Sequence, residues 1–474
     1  MKYLRGYLAA GIFGAITWVL MAYAQRFSTI VDMVYPYVTR NLQSILAQWS
    51  SQVDLCLWQL LAVALGALIL CSIVLMVVLK WNAIQWGGWV LAVFSAIYCL
   101  HTALFGLNYY AGPISEDLRL DMSPYTLEEL TEATEYYRNE ANTLAAQVPR
   151  TSDGSVSFQT FDQLAAQAGE GFKTLTYEKH YPIFAGSTLP VKKLGWSDMY
   201  VSMGITGFTF ALTGEAAVNP QAPDVSLPFT MCHEMAHRMC IANERDANFA
   251  AFLAASSNSD PQFRYSAYFM AYRYCISALS TVSSQAAVDA RTRVEQGVSD
   301  ALRYDMAQYD AFYRTKKNDK ATKAGNAVNN TYLKTSGDSA GLRSAGELAY
   351  PAGSAAQPGR GRESLQPPGQ DPGGSDGDRT RGRCGLMDMK QTLISGLPEL
   401  KLDLTQAQID TLCAFGQAVI DQNQVMNLTA IHGETDVAQL HFLDSAALLT
   451  VEPLAGKSVI DVGTGAGFPG LPLK

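Results

Sequence analysis

The residues that can do chemistry at a fixed spacing are His233 and His237, four apart, with Glu234 between them. The run Thr230-Met231-Cys232-His233-Glu234-Met235-Ala236-His237-Arg238 reads His-Glu-x-x-His. On a helix, positions i and i+4 lie one above the other, so both imidazoles can reach one tetrahedral ion. Glu234, one residue round, is placed to take a proton from water that the ion activates. A catalytic zinc takes three protein ligands and keeps its fourth position open. Glu244, seven residues past His237, is the candidate third ligand, at the start of a stretch, 243–253, whose apolar spacing predicts a second helix. Asp246 is the rival ligand, and Asp246 or Asn248 could accept the free N–H of a metal-bound imidazole. The plain alternative for these acids is a solvated helix start, where Asp and Glu are favoured. Zn2+ is the expected ion, although imidazole and carboxylate ligands also accept iron, cobalt or nickel.

Several elements must hold these residues. Ahead of the motif the pattern predicts two short strands, Met199–Ser202 and Gly207–Phe210, separated by glycines. An unpaired strand edge there could hold an extended peptide beside the metal, or the strand could simply pack on the helix. Helices are expected from Thr126, where Thr126 and Glu129 make a capping box, and again from Pro261 to about Ala311. Tyr265, Tyr268, Phe269, Tyr272 and Tyr274 form an aromatic stripe in the second of these, read as core. Cys232, Cys240 and Cys275 give no complete disulfide framework; a Cys240–Cys275 bridge is the one weak pairing, and Cys232 is expected to pack as a small apolar residue. Lys316, Lys317, Lys320 and Lys323 read as a solvated face.

Thr213–Asn219, Leu227–Thr230, the motif itself, Glu244–Phe249, Tyr265–Tyr268 and Val328–Lys334 resemble a family of bacterial membrane zincins of undetermined function. The resemblance spans roughly residues 1–345. It implies a peptidase-like zinc site with Glu244 as third ligand and names no substrate. Cys240 stands where that family leads one to expect a turn glycine.

The composition carries a membrane signal, since 48% of the 474 residues are hydrophobic and 16% are charged. Tyr7–Ala24, Leu57–Leu79 and about Gly87–Leu107 are uncharged and long enough to cross a hydrocarbon core of about 30 Å. Aromatics near their ends, among them Trp58, Trp81, Trp86, Tyr109 and Tyr110, suit interfacial anchors. Ala22-Tyr23-Ala24 also resembles a signal-peptidase site, so the first run has a second reading as a leader. Lys2, Arg5 and Lys80 mark the N-terminus and the second turn as cytoplasmic, the loop holding Arg26, Asp32, Arg40 and Asp54 is neutral, and everything beyond about residue 110 is expected outside. A net charge of −8 argues against nucleic acid as the ligand of the whole chain.

From Gly353 to Gly385 the sequence is rich in Gly and Pro and nearly devoid of large apolar side chains, which cannot bury enough surface to fold. Beyond it, Asn423–Ile431, His441–Ser445 and Val459–Gly470 resemble the small-subunit (16S) ribosomal RNA methyltransferase G family, also called glucose-inhibited division protein B. An apolar strand ending in Asp461 runs into a turn with Gly463, Gly465 and Gly467, whose lack of side chains lets a nucleotide-like cofactor approach the backbone. The resemblance implies S-adenosylmethionine at these residues and cytoplasmic ribosomal RNA as substrate. The chain stops at Lys474, so the expected α/β sheet lacks its further strands. The expectation is two neighbouring genes joined by a reading-frame error near codon 344.

The sequence therefore predicts an α-helical membrane protein with four parts. Residues 1–110 hold three transmembrane helices and contact the lipid bilayer; residues 111–345 form a mainly helical α+β zincin-like domain; residues 346–386 are a disordered junction; residues 387–474 begin a Rossmann-like methyltransferase. Its expected activity is zinc-dependent hydrolysis of a peptide or protein outside the cytoplasm, through His233, His237, Glu244 and Glu234. The alternatives are ribosomal RNA methylation by the tail and a membrane scaffold with a structural zinc.

Overall fold

A computed structural model describes residues 2–120, 125–282 and 284–316, then with short gaps to 331, and 389–400, 402–426 and 434–451. The chain divides into two compact units, Met1–Leu365 and Gln366–Lys474.

The first unit opens with α1 (Arg5–Arg26), α2 (Ser28–Ser50), α3 (Leu57–Val78) and α4 (Ala83–Leu104). Of these, α1, α3 and α4 are long and apolar enough to cross a membrane. At 22 residues each they extend about 33 Å. Helices α1 and α4 run side by side in the same direction. Gly6 lies on Gly88 near their first turns, where a Cβ on Gly6 would stand 2.4 Å from the Gly88 carbonyl carbon. Near the other end, Ala24 shares a cluster with Val31 and Leu107. Small residues let the two backbones touch where side chains would hold them apart. In α3 only Gln59 is buried.

The neutral loop expected between the first two runs is instead the 23-residue α2. Its buried residues, Val31, Pro36, Thr39, Arg40, Gln43, Ala47 and Ser50, recur at helical spacing, yet most are polar. A helix face made of such residues gives no apolar periodicity to read. Its side chains find backbone partners in the following domain. Arg40 Nε donates to Met239 O at 3.0 Å, Nη1 to Pro182 O at 3.1 Å, and Gln43 Nε2 to Ala211 O at 2.9 Å. The segment predicted to belong to the membrane part is therefore built into the domain that carries the histidines.

That domain continues with α5 (Leu127–Ala145), begun by the expected Thr126–Glu129 capping box. A small sheet follows, of β1 (Lys192–Lys193), β2 (Gly207–Phe210) and β3 (Glu215–Val218), in the order β1-β3-β2. β1 runs parallel and β2 antiparallel to the central β3, whose four residues are all buried. Next come α6 (Leu227–Arg238), α7 (Glu244–Ser256), α8 (Pro261–Thr281), α9 (Gln285–Gln296) and α10 (Asp300–Lys316). α6 packs against both α7 and β3, and α8 lies along α5. Tyr265, Phe269 and Tyr272 are buried and join the main core with Tyr137, Phe172 and Phe229, as the stripe predicted.

One predicted strand is wrong. Met199–Ser202 lies in a short helix, Ser197–Ser202, between Gly195 and Gly204. Four residues with two apolar side chains fit either period, so pattern alone could not decide. The Cys240–Cys275 bridge is also absent, both being free thiols.

In the second unit, α11 (Met389–Glu399) and α12 (Gln406–Met426) precede three short helical segments ending at Val451. Met389, Leu393, Leu397, Ile409, Val437 and Phe442 form its core. The predicted cofactor residues Asp461, Gly463, Gly465 and Gly467, and the junction 346–386, lie outside the described residues.

Candidate metal centre

Helix α6 starts with Pro228 in its first turn, where a missing N–H costs nothing. It ends at Arg238, and two residues on Cys240 has a φ of 68°, the left-handed conformation that glycine ordinarily supplies. The position that sequence resemblance marked for glycine does make a turn, with cysteine in it. There Cys240 N–H donates to His237 O at 2.9 Å and Ile241 N–H to Ala236 O at 3.1 Å, closing the helix end. This reversal delivers Asn243, whose Oδ1 accepts Arg245 N–H at 3.0 Å and so caps α7, and sets Glu244 at the first position of that helix.

His233, His237 and Glu244 converge. The two Nε2 atoms are 3.1 Å apart, and Glu244 carboxylate oxygens lie 3.4 Å from His233 Nε2 and 3.7 Å from His237 Nε2. Zinc bonds of about 2.0–2.1 Å at tetrahedral angles separate ligand atoms by about 3.3–3.4 Å, so these three distances straddle the edge of such a polyhedron. The tautomer fits as well. His237 Nδ1 faces Ile241 O at 2.9 Å, and a carbonyl can only accept, so a proton sits on Nδ1 and Nε2 is the ring atom left to face a metal. His233 Nδ1 is buried with no hydrogen-bond partner. Among the described residues these three form the one group of histidine, cysteine or acid side chains with metal-binding spacing.

The cluster's electrostatics express the same convergence. For Glu244, burial works to raise the carboxyl pKa, but hydrogen bonds and charge from His233 and His237 outweigh it and hold the group well below the usual carboxylate range. For His237, burial opposes protonation, while the Glu244 carboxylate lifts the imidazole to about 9. Glu234 is buried and its pKa is raised chiefly by loss of water, with the two imidazoles and a Thr209 hydrogen bond pulling the other way.

Glu234 is positioned by β2. Thr209 Oγ1 donates to Glu234 Oε2 at 2.8 Å and also lies 2.9 Å from its backbone carbonyl. Gly207, on the same strand face, leaves room for the carboxylate; a Cβ there would stand 2.3 Å from Oε1. Neither Gly207 nor Thr209 was singled out by sequence reasoning, although both lie in a strand it located. Their Gly-x-Thr spacing on one strand face was the available signal.

The rival assignments fall away. Asp246 is buried and turned from the cluster, its Oδ2 accepting Ile114 N–H at 3.1 Å and its Oδ1 lying 3.6 Å from Arg245 Nε. Asn248 Oδ1 accepts the Tyr274 hydroxyl at 3.4 Å. The partner expected of Asp246 or Asn248, holding the imidazole N–H, is instead the Ile241 carbonyl. Cys232 is buried as expected, its thiol 3.8 Å from Ala168 O, and does not join the ligands.

A family model described as "Protein of unknown function (DUF3810)" matches residues 31–349. A second, described as rRNA small subunit methyltransferase G, matches residues 408–474. Curated relatives align with the tail. The Ribosomal RNA small subunit methyltransferase G of Pelotomaculum thermopropionicum is 45% identical over 87 residues, 18% of this chain and 36% of that protein. Its counterpart in Alkaliphilus oremlandii is 46% identical over 89 residues, 19% and 37%. The chain thus spans little more than a third of the length of these relatives. No solved structure matches.

Proposed function

We propose that this chain, which belongs to the family described as protein of unknown function (DUF3810), is a membrane-anchored zinc-dependent peptidase. The observation that carries the reading is the convergence of His233, His237 and Glu244 at 3.1–3.7 Å with Glu234 beside them. Zinc held by these three would polarise a peptide carbonyl and acidify water. Glu234 takes the proton of the attacking water and returns it to the departing amine; Thr209 and Gly207 keep its carboxylate in place. A structural zinc closes its shell with four protein ligands, whereas three cluster here among the described residues, and this favours catalysis over a scaffold.

An extended peptide would lie along β2, which pairs on one side only within the described sheet. Helices α1, α3 and α4 anchor the domain in the bilayer. The basic N-terminus and Lys80 lie on the cytoplasmic side, and α2 shares the other side with the metal centre. The test uses the full chain in detergent: zinc content, and hydrolysis of quenched-fluorescent peptides, for the parent and Glu234→Gln. Zinc in both with hydrolysis in the parent alone is expected; hydrolysis unchanged by Glu234→Gln would overturn the reading.

A second reading applies to the tail, and the family comparisons favour it there. Residues 408–474 match the methyltransferase G family, and we infer that this segment would serve S-adenosylmethionine-dependent modification of ribosomal RNA. Calorimetry of the full chain with S-adenosylmethionine tests it: saturable binding lost in Asp461→Ala supports the reading, and no heat of binding counts against it.

A further inference from the structure

Strand β2 has two faces, and only one belongs to the metal centre. Gly207 and Thr209 meet Glu234. The alternate residues, Phe208 and Phe210, turn the other way and meet Trp58 in the first turn of α3, with ring centroids 5.1 and 5.5 Å away. That turn is locked to the domain. Glu215 accepts Leu57 N–H at 2.7 Å and Trp58 N–H at 2.8 Å, and Gln59 both accepts from Gly195 N–H at 2.9 Å and donates to Gly195 O at 3.3 Å. The start of an apolar membrane-length helix is therefore joined directly to the sheet over Glu234, about one layer, on the order of 10 Å, from the carboxylate.

Around this joint the domain exposes large apolar side chains. Trp196 is 51% exposed, Met199 49% and Phe208 40%. Trp196 follows Gly195 directly and holds φ at 53°, a left-handed backbone that a bulky residue seldom adopts. Asp198, exposed on the same short helix, lies about 100° round from Met199 and can stay in water. Aromatic and methionine side chains beside the first turn of a spanning helix suit the headgroup layer of a bilayer.

We propose that the face bearing Trp196, Met199 and Phe208 rests in the interfacial layer of the membrane that α3 enters, so that the metal centre acts on polypeptide just where it leaves the bilayer. The substrate class is the juxtamembrane segment of a membrane-inserted protein or peptide. The surface assignment stands on α3 and its continuity with the sheet; the substrate class rests in addition on the peptidase reading above.

The experiment keeps the two apart. The full chain, with Cys71, Cys384 and Cys413 changed to Ser and Met199→Cys labelled with an environment-sensitive fluorophore, is reconstituted into phosphatidylcholine and phosphatidylglycerol vesicles. Nitroxide on the lipid headgroup should quench the label at least about twofold, with aqueous iodide having little effect; full iodide quenching without lipid quenching would overturn the surface assignment. In the same vesicles, a single-span peptide should be cut within a few residues of its apolar stretch, at least about tenfold faster than the same flanking sequence free in solution. Trp196→Ser with Met199→Ser should erase that preference while leaving cleavage of the free peptide. Equal cutting of both by the parent would overturn the substrate class. No cutting of either, with the label quenched by lipid, would overturn the peptidase reading and leave the surface assignment standing.

Discussion

Glu215 and Glu244 are both carboxylates shielded within the same domain, and their surroundings are opposite in kind. Glu215 is met by proton donors: Leu57 and Trp58 N–H, Thr213 Oγ1 at 2.7 Å and Lys192 Nζ at 2.6 Å. Lys192 in turn donates to Ser50 O and Leu55 O. Glu244 instead faces two imidazole nitrogens, and the ring of His237 is held from its far side by the Ile241 carbonyl. The first cluster is complete and ties α2, α3 and the sheet together. The second brings two ring nitrogens and a carboxylate onto one point and leaves His233 Nδ1 without a partner. A buried polar group whose bonds are all made supports a fold; two ring nitrogens and a carboxylate crowded onto one point are arranged for something that is not protein.

That contrast can be broken at either end. The largest effect is expected from Glu234→Gln, which keeps the shape and removes the base: hydrolysis should fall by about 10²–10⁴-fold with zinc content unchanged. If Glu215 is structural, Glu215→Ala should lower stability by about 3–5 kcal/mol, read as thermal unfolding in detergent, while the folded fraction still binds zinc. A variant that unfolds no sooner but loses zinc would reverse the roles given to the two carboxylates. Gly207→Ala pushes a methyl group into Glu234 and should cost about 1–3 kcal/mol of strain. Its signature is a fall in turnover with peptide affinity and zinc retained. The smallest effect belongs to Thr209→Val, which deletes one hydrogen bond to Glu234 at nearly constant volume and should cost about 0.5–1.5 kcal/mol. The readout is a several-fold drop in turnover that Thr209→Ser restores.

The convergence of His233, His237 and Glu244 was legible because it is written at short range. His233, Glu234 and His237 are set by helical spacing, and Glu244 follows seven residues later, past the reversal at Cys240. The three helices long and apolar enough to cross a membrane were legible for the same reason, as long uncharged runs. What escaped depends on partners distant in sequence. Helix α2 buries Thr39, Arg40, Gln43 and Ser50 because carbonyls and side chains of the later domain receive them, and a polar face of this kind looks like a solvated one until the partners are known. The same holds for Asp246, which resembles a ligand in sequence and is taken by the Ile114 amide 132 positions away. Cys240 shows an intermediate case: the need for a left-handed turn was readable, and the structure makes that turn with a residue other than glycine.

The central claim is that the three converging side chains bind zinc. Its most direct test is the metal content of the purified full chain beside His237→Ala, with helical content compared by circular dichroism. The account predicts about one zinc per parent chain and far less in an equally folded variant. A well-folded parent that takes up no zinc, or a variant that retains it fully, would contradict it.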